Sequence, residues 1–355
     1  MWRPTADCIW NTFLSSGKRH LMLTGGRGSG KTTLLTALWP VGAPGIVTSA
    51  VPREAVWLEE RETGRRARIG VFDESLPGPE NRMALCPEGL LSLGIPALER
   101  CGSSESPWAV IDEIGYLESG CGAWQAALRT LMERKRLVTV LRKQELPFLQ
   151  ELRRREDVLT VDLDAPFGHA GCVIMASGLG KRFGGNKLMA DFRGEPLIVR
   201  ALDATEGIFS RRVVVTRHPE VAALCRERGI ETVLHDLPSR SDTVRLGLEA
   251  MGDADSCLFC PGDQPLLRRE TVASLALAGA ADPARIWRAG YEGVPGSPVL
   301  FPRWAFPELL TLPEGKGGGY LAKKYPERVR MVSVRDPYEL KDADTPEELR
   351  ALLAR

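Results

Sequence analysis

Two glycine-rich segments hold the residues best suited to phosphate chemistry, GGRGSGKTT at Gly25 to Thr33 and GLGKRFGGNK at Gly178 to Lys187. In the first, Gly25 is followed after four residues by Gly30, Lys31 and Thr32, the spacing of a P-loop. Glycines there, Gly28 included, let backbone N–H groups close around phosphate, and the following helix adds its positive end. Lys31 reaches the outer phosphates, Thr32 offers a hydroxyl to Mg²⁺, and Thr33 continues the nucleotide-binding segment. In the second, Ala176 leads into a loop where Gly178 and Gly180 allow close backbone approach to a triphosphate. Arg182 and Lys187 can neutralise negative charge that shifts onto a departing pyrophosphate.

Each loop has acidic residues downstream that suit a divalent cation. WAVIDEIG reads as an apolar strand ending in Asp112 and Glu113. Asp112 suits Mg²⁺, directly or through water, and Glu113 is placed to orient or deprotonate an attacking water. In CPGDQPLL a buried strand ends at Asp263, a position that suits a Mg²⁺ ligand against an α-phosphate. In LKDADTPEELRALL either Asp342 or Asp344 precedes a helix that starts near Pro346. Helix capping by Thr345 or Asp344 and closure of a metal site can coexist there.

The elements that must position these groups alternate. HLMLTG, GIVTSAV, WAVIDEIG, RLVTVL and VLTVDL read as strands, with helix-length stretches such as GAWQAALRTLMERK between them, which predicts a mainly parallel sheet covered by helices. The rhythm restarts with GCVIMASG, RRVVVTRH, SCLFCPGD and RVRMVSV as strands, and EPLIVRALDAT and SDTVRLGLEAM as helices. DAPFGHAG between them lacks apolar periodicity, so the chain divides into domains at 1–167 and 168–355. Both domains are of the α/β class. The stretch ETGRRARIGVFDESLPGPENR reads as irregular.

At 355 residues the chain suits two cores, and 47 Lys plus Arg against 46 Asp plus Glu leave no global field to draw it to nucleic acid or an anionic membrane. No apolar run reaches the length of a membrane span and the first residues lack a signal-peptide pattern, so the cytoplasm is the expected location. The eight cysteines have no disulfide or zinc-ribbon spacing. The Cys257/Cys260 pair sits within a strand and reads as core. His20, His169, His218 and His235 read as packing or surface residues.

The P-loop, GIVTSAVPRE at Gly45 to Glu54 and above all IDEIGYLE at Ile111 to Glu118 resemble the small nucleoside-triphosphatases first described from thermophiles, over roughly residues 18 to 165. That resemblance implies a P-loop NTPase sheet close to the nucleotide kinases, and hydrolysis of several NTPs.

Residues 171 to 355 resemble the molybdenum cofactor nucleotidyltransferases. The RFGxxK loop, GDQPLL and DTPEEL carry the likeness, with VVVTRHPE, SRSDTVRLGLEAM and GVPGSPVLFP. It implies a Rossmann-like, glycosyltransferase-A-like sheet in which the acceptor's phosphate attacks the α-phosphorus of CTP. Asp263 with Asp344 would hold Mg²⁺, and Lys187 and Arg182 would steady the charge. RFGGNK favours the cytidylyltransferase branch, whose acceptor is molybdopterin-bound molybdenum. The chain departs from the family in carrying MASG for LAAG, and Gly296, Ser297 and Pro298 for GHP. The combined expectation is CMP transfer by the second domain and NTP hydrolysis by the first, with a molybdenum hydroxylase or its chaperone as partner. The alternatives are a sugar-phosphate or polyol-phosphate acceptor, and a first domain that acts as a nucleotide-switched binding module.

Overall fold

The computed structural model describes residues 2–77 and 82–355. The chain forms two compact units, Gly17–Ala165, and Met1–Ser16 together with Pro166–Arg355. The first sixteen residues therefore fold with the second unit, where the sequence reading had given them to the first domain. The reason is local. Helix Ala6–Ser16 buries Cys8, Ile9, Thr12 and Phe13 on one face and packs on helix Arg269–Ala281 and the final strand. The Thr12 hydroxyl donates to the Ser274 carbonyl at 3.3 Å.

In the unit Gly17–Ala165 the strands are β1 (His20–Thr24), β2 (Gly45–Val51), β3 (Ala55–Glu60), β4 (Arg65–Phe72), β5 (Met83–Leu85), β6 (Trp108–Ile114), β7 (Arg136–Leu141) and β8 (Val158–Asp162). They form one sheet in the order β5-β4-β3-β2-β6-β7-β1-β8. From β2 to β8 the pairing is parallel, as the alternation of strand and helix requires. From β2 to β5 it is antiparallel. This extension overturns the irregular reading of ETGRRARIGVFDESLPGPENR, because β4 runs through its first half. Pairing with β3 supplies the order that alternation alone did not signal, and residues 78–81 of that stretch lie outside the described residues. β1 is buried along its whole length and β7 nearly so, the mark of strands covered on both faces.

The other unit holds β9 (Ala170–Ala176), β10 (Asp191–Phe192), β11 (Glu195–Pro196), β12 (Arg211–Thr216), β13 (Glu231–Leu234), β14 (Ser256–Pro261), β15 (Ile286–Tyr291), β16 (Val294–Pro302) and β17 (Val329–Ser333). Its main sheet runs β13-β12-β9-β14-β16-β15-β17. β16 is antiparallel to both neighbours, and the other pairings are parallel. Cys257 and Cys260 are both fully buried on β14, in keeping with a packing role.

Phe13 is fully buried, so Phe13→Ala removes about 3–5 kcal/mol of stability. The assignment of the first helix predicts where that loss falls. In calorimetry of the full chain, the transition of the unit bearing β9–β17 should move down, while the transition of the unit Gly17–Ala165 stays in place.

Candidate functional site

The first candidate site forms where β1 runs into helix Lys31–Leu38. Gly25 takes φ +149°, and a Cβ there would lie 2.8 Å from Ser29 Oγ, so the loop requires glycine at that point. The Lys31 ammonium donates to the Gly25 and Gly26 carbonyls at 2.8 and 2.7 Å, which folds it over the loop. Asp112, on β6, is 6 % exposed. Burial first, then the neighbouring Glu113 charge, push its carboxyl up to about 6, against the opposing Thr32 hydroxyl and Lys31 ammonium. The Thr32 hydroxyl thus meets the Asp112 carboxyl, with the Lys31 charge near by. Gly28, Gly30 and Thr33 belong to the same loop and helix start.

Glu113 is less free than its sequence suggests. Its carboxylate accepts from the Arg142 guanidinium at 2.5 Å, and its backbone N–H donates to the Thr48 hydroxyl at 2.9 Å. The next acid, Glu118, is 4 % exposed and caps its own short helix by accepting the Gly115 N–H at 2.8 Å. Burial pushes the Glu118 carboxyl up to about 7. Sequence reading passed over Asp164, in the segment taken as a linker. Its carboxylate accepts the Gly26 N–H at 2.8 Å and the Lys143 ammonium at 2.9 Å. The separation of 138 residues between Gly26 and Asp164 hid this from any motif.

The second site forms at the carboxyl ends of β9 and β14 and at the start of the last helix, Pro346–Leu353. Gly180 has φ +59°, and a Cβ there would fall 2.0 Å from the Gly185 carbonyl oxygen, so the loop closes on itself only with glycine. Asn186 accepts the Leu188 N–H at 3.2 Å, which starts the turn that carries Lys187. Lys187 is 7 % exposed. Its ammonium donates to Asp263 at 2.5 Å and to Asp344 at 2.7 Å. Burial pulls the Lys187 pKa down, but the two carboxylates outweigh it and the net direction is up. Arg182 donates to the second oxygen of Asp344. Lys187 first, and Arg182 with it, hold the Asp344 carboxyl below its ordinary value.

Asp342 and Asp344 differ in their contacts. Asp344 takes the two cations, while Asp342 accepts from the Gln264 side-chain amide at 3.0 Å. Thr345 is the N-cap, and Glu348 reaches back to accept the Asp344 and Thr345 N–H groups, each at 2.9 Å. Ala343 N–H donates to the Asp263 carbonyl at 2.9 Å, which ties the two acidic loops together. Ala176 and Gly178 frame the other wall. There the Ser177 hydroxyl meets His235 Nε2 at 2.8 Å, and His218 Nε2 meets the Gly178 carbonyl at 2.8 Å. Two of the histidines read as packing or surface residues therefore brace the glycine loop. Their position at the carboxyl ends of strands was the signal available for finding them.

Each site suits a divalent cation by its donor chemistry. Two carboxylates already converge on one cation at Lys187, and a hydroxyl and a carboxylate meet at Thr32. Among the described residues no group of three or more His, Cys, Asp or Glu is arranged to hold a metal ion. Such partial sets suit Mg²⁺, which keeps water and takes substrate phosphate oxygens as its remaining ligands.

Residues 20–166 match the family described as NTPase, and residues 172–329 match the MobA-like NTP transferase domain. A cancer-related nucleoside-triphosphatase homolog of Mus musculus is 30% identical over 168 residues, which cover 39% of this chain and 85% of that protein. The chain belongs to the NTPase family. Fused behind the NTPase unit is a MobA-like nucleotidyltransferase unit, and both are α/β. The transferase unit is similar to a 3-deoxy-manno-octulosonate cytidylyltransferase of Neisseria gonorrhoeae, 30% identical over 116 residues. That match spans 30% of this chain and 44% of the relative, less than half the relative's length. A solved structure described as a nucleotidyl transferase from Methanothermobacter thermautotroptrophicus aligns with a TM-score of 0.47 at 20% identity, over 53% of this chain and 97% of that one.

The state of Glu118 in the NTPase unit can be read from stability. A carboxyl whose folded pKa lies above its unfolded value is favoured when protonated, so this contribution is lost as pH rises from the ordinary 4.5 through about 7. Glu118→Gln keeps an acceptor for the Gly115 N–H and removes the ionisation. Relative to the parent it should gain on the order of 3 kcal/mol between pH 5 and pH 8.5. Urea unfolding at the two pH values measures the difference, and a constant gap would show that Glu118 titrates normally.

Proposed function

We propose that the transferase unit moves CMP from CTP to the phosphate of molybdenum-loaded molybdopterin, and that the NTPase unit binds and hydrolyses NTP, with Mg²⁺ serving both sites in the cytoplasm. The observation that carries the transferase reading is the buried Lys187 ammonium held between Asp263 and Asp344, with Arg182 on the outer oxygen. An acceptor phosphate oxygen forms a bond to the α-phosphorus as the bond to the β-phosphate oxygen breaks, and pyrophosphate leaves. Lys187 and Arg182 are the cations that follow the charge onto that leaving group. The acceptor is already ionised, so no residue need remove a proton. Mg²⁺ held by Asp263 and Asp344 would supply positive charge at the α-phosphate.

In the NTPase unit, Lys31 and the loop glycines bind the outer phosphates, while Thr32 and Asp112 are the pair suited to Mg²⁺. Glu113 orients the attacking water, and its Arg142 partner holds the carboxylate in place. Hydrolysis there would assist delivery of the finished cofactor to a molybdenum hydroxylase or its chaperone.

A second reading replaces the pterin by a sugar. It is favoured by the likeness to a cytidylyltransferase named for 3-deoxy-manno-octulosonate. Pyrophosphate release from CTP, measured with molybdenum-loaded molybdopterin and separately with sugar acids and sugar phosphates, decides between them.

The division of labour predicts separable losses. Lys31→Ala should abolish NTP hydrolysis and leave nucleotidyl transfer largely intact. Asp263→Asn should remove transfer and leave hydrolysis. Joint loss of both activities in a folded variant would overturn the assignment of two independent sites.

A pocket that hydrogen-bonds one base edge leaves its polar groups unpaired when another base enters. CTP is therefore expected to exceed GTP, ATP and UTP by at least about tenfold in kcat/KM, or roughly 1.4 kcal/mol at the transition state. Competition assays with the preferred acceptor give the ratio, and equal use of CTP and GTP would reject the cytidylyl assignment alone.

A further inference from the structure

Arg288, on β15, has no part in the chemistry above. It lies opposite Val299 of β16, and paired residues point to one face of a sheet. That face is the apolar one that holds Ile286, Val299 and Phe301. Arg288 is half-buried there. Burial pulls its pKa down with no carboxylate in opposition, and it makes no ion pair among the described residues. Nε and Nη2 share a single acceptor, the Gly296 carbonyl, at 3.1 and 2.7 Å. Nη1 makes no hydrogen bond among the described residues, and it is not one of the unpartnered polar atoms closed to solvent. One edge of the guanidinium is therefore fixed, and the other is open to a ligand.

Strand pairing carries that guanidinium to the transferase site. β15 advances from Arg288 to Gly290 while β16 runs from Val299 back to Pro295, so residues 296–298 leave the ladder and the Gly296 carbonyl turns to Arg288. On its other side β16 pairs with β14, Val299 opposite Phe259, and β14 runs on towards Asp263. A Cβ at Gly296 would stand 2.8 Å from Leu340 Cδ1. The Leu340 carbonyl in turn accepts from the amide of Gln264, the neighbour of Asp263, at 3.2 Å. Sheet order then assigns sides. In the run β9-β14-β16-β15, the loop bearing Arg182 and Lys187 follows β9, Asp263 follows β14, and Arg288 with Gly296 lies beyond β14. In-line displacement sets the attacking oxygen opposite the leaving group. With pyrophosphate on the β9 side, the acceptor enters from the side of β16 and β15.

We propose that Arg288 is a specificity-determining residue for the acceptor, binding an oxyanion beside the attacking oxygen through its open Nη1 edge while Gly296 fixes the guanidinium. The inference rests on the transferase reading above. A phosphate monoester and the carboxylate of a sugar acid share the required chemistry, since each offers oxygens that a guanidinium fork can pair with. An acceptor with only neutral hydroxyls would leave the charge of Arg288 unanswered.

Pyrophosphate release by the full chain, with molybdenum-loaded molybdopterin and separately with sugar acids, tests this in three variants. Arg288→Met keeps the apolar stem without the charge. Arg288→Gln also keeps a donor for the Gly296 carbonyl, so the test stands even if Arg288→Met fails to fold. Arg288→Lys keeps the charge without the fork. The acceptor KM should rise at least about tenfold in the Met and Gln variants and recover in part with Lys, while the KM for CTP stays within about twofold. The acceptor that turns over identifies the oxyanion. An acceptor KM equal to the parent's, whatever happens to kcat, would overturn the inference and leave nucleotidyl transfer standing. If neither acceptor turns over, the acceptors proposed above fall, and a binding measurement decides on Arg288. Glycerol phosphate and glycerate are then titrated into the full chain saturated with Mg²⁺ and α,β-methylene-CTP. Saturable binding of either probe that weakens at least about tenfold in Arg288→Gln supports the inference. Identical isotherms, or no saturable binding by the parent, overturn it.

Discussion

The transferase unit depends on one buried cation. Burying an ammonium costs several kcal/mol unless it is paired and hydrogen-bonded, and Lys187 meets that demand with two carboxylates from segments distant in sequence. The pairing fixes where the glycine loop ends, where β14 delivers Asp263, and how close the last helix must come to present Asp344. The loop that carries Lys187 also needs glycine at Gly180 to fold back on Gly185.

The NTPase unit solves the analogous problem differently. Lys31 rests on neutral carbonyls of its own loop, so an arriving phosphate exchanges neutral acceptors for a charged one. Lys187 exchanges one set of anions for another. Both lysines lie beyond the carboxyl ends of parallel strands, where open α/β sheets bind ligands.

Bracing around the two sites follows a common principle. A strand end leaves backbone carbonyls and N–H groups without partners in the sheet, and each must find one. His218 takes the Gly178 carbonyl, His235 takes the Ser177 hydroxyl, Thr48 takes the Glu113 N–H and Asp164 takes the Gly26 N–H. These residues set the shape of the loops that face the nucleotide, and their side chains were recruited for hydrogen bonding where sequence pattern alone offered only surface or core.

The sequence by itself determined the two glycine-rich turns between strand and helix, the parallel strands beside them and the α/β class of each half. Those features are local: a glycine turn between an apolar strand and a helix is written in contiguous residues. What the tertiary structure decided is non-local. β3, β4 and β5 gain their order from pairing across the sheet, and the first helix joins the far unit because its apolar face fits helix Arg269–Ala281. Asp344, and not Asp342, meets Lys187, 157 residues away, at 2.7 Å. Glu113 likewise met Arg142 only through the pairing of β6 with β7. Contacts of that kind depend on chain reversals whose register no single-residue pattern encodes, because pairing energy belongs to both partners at once.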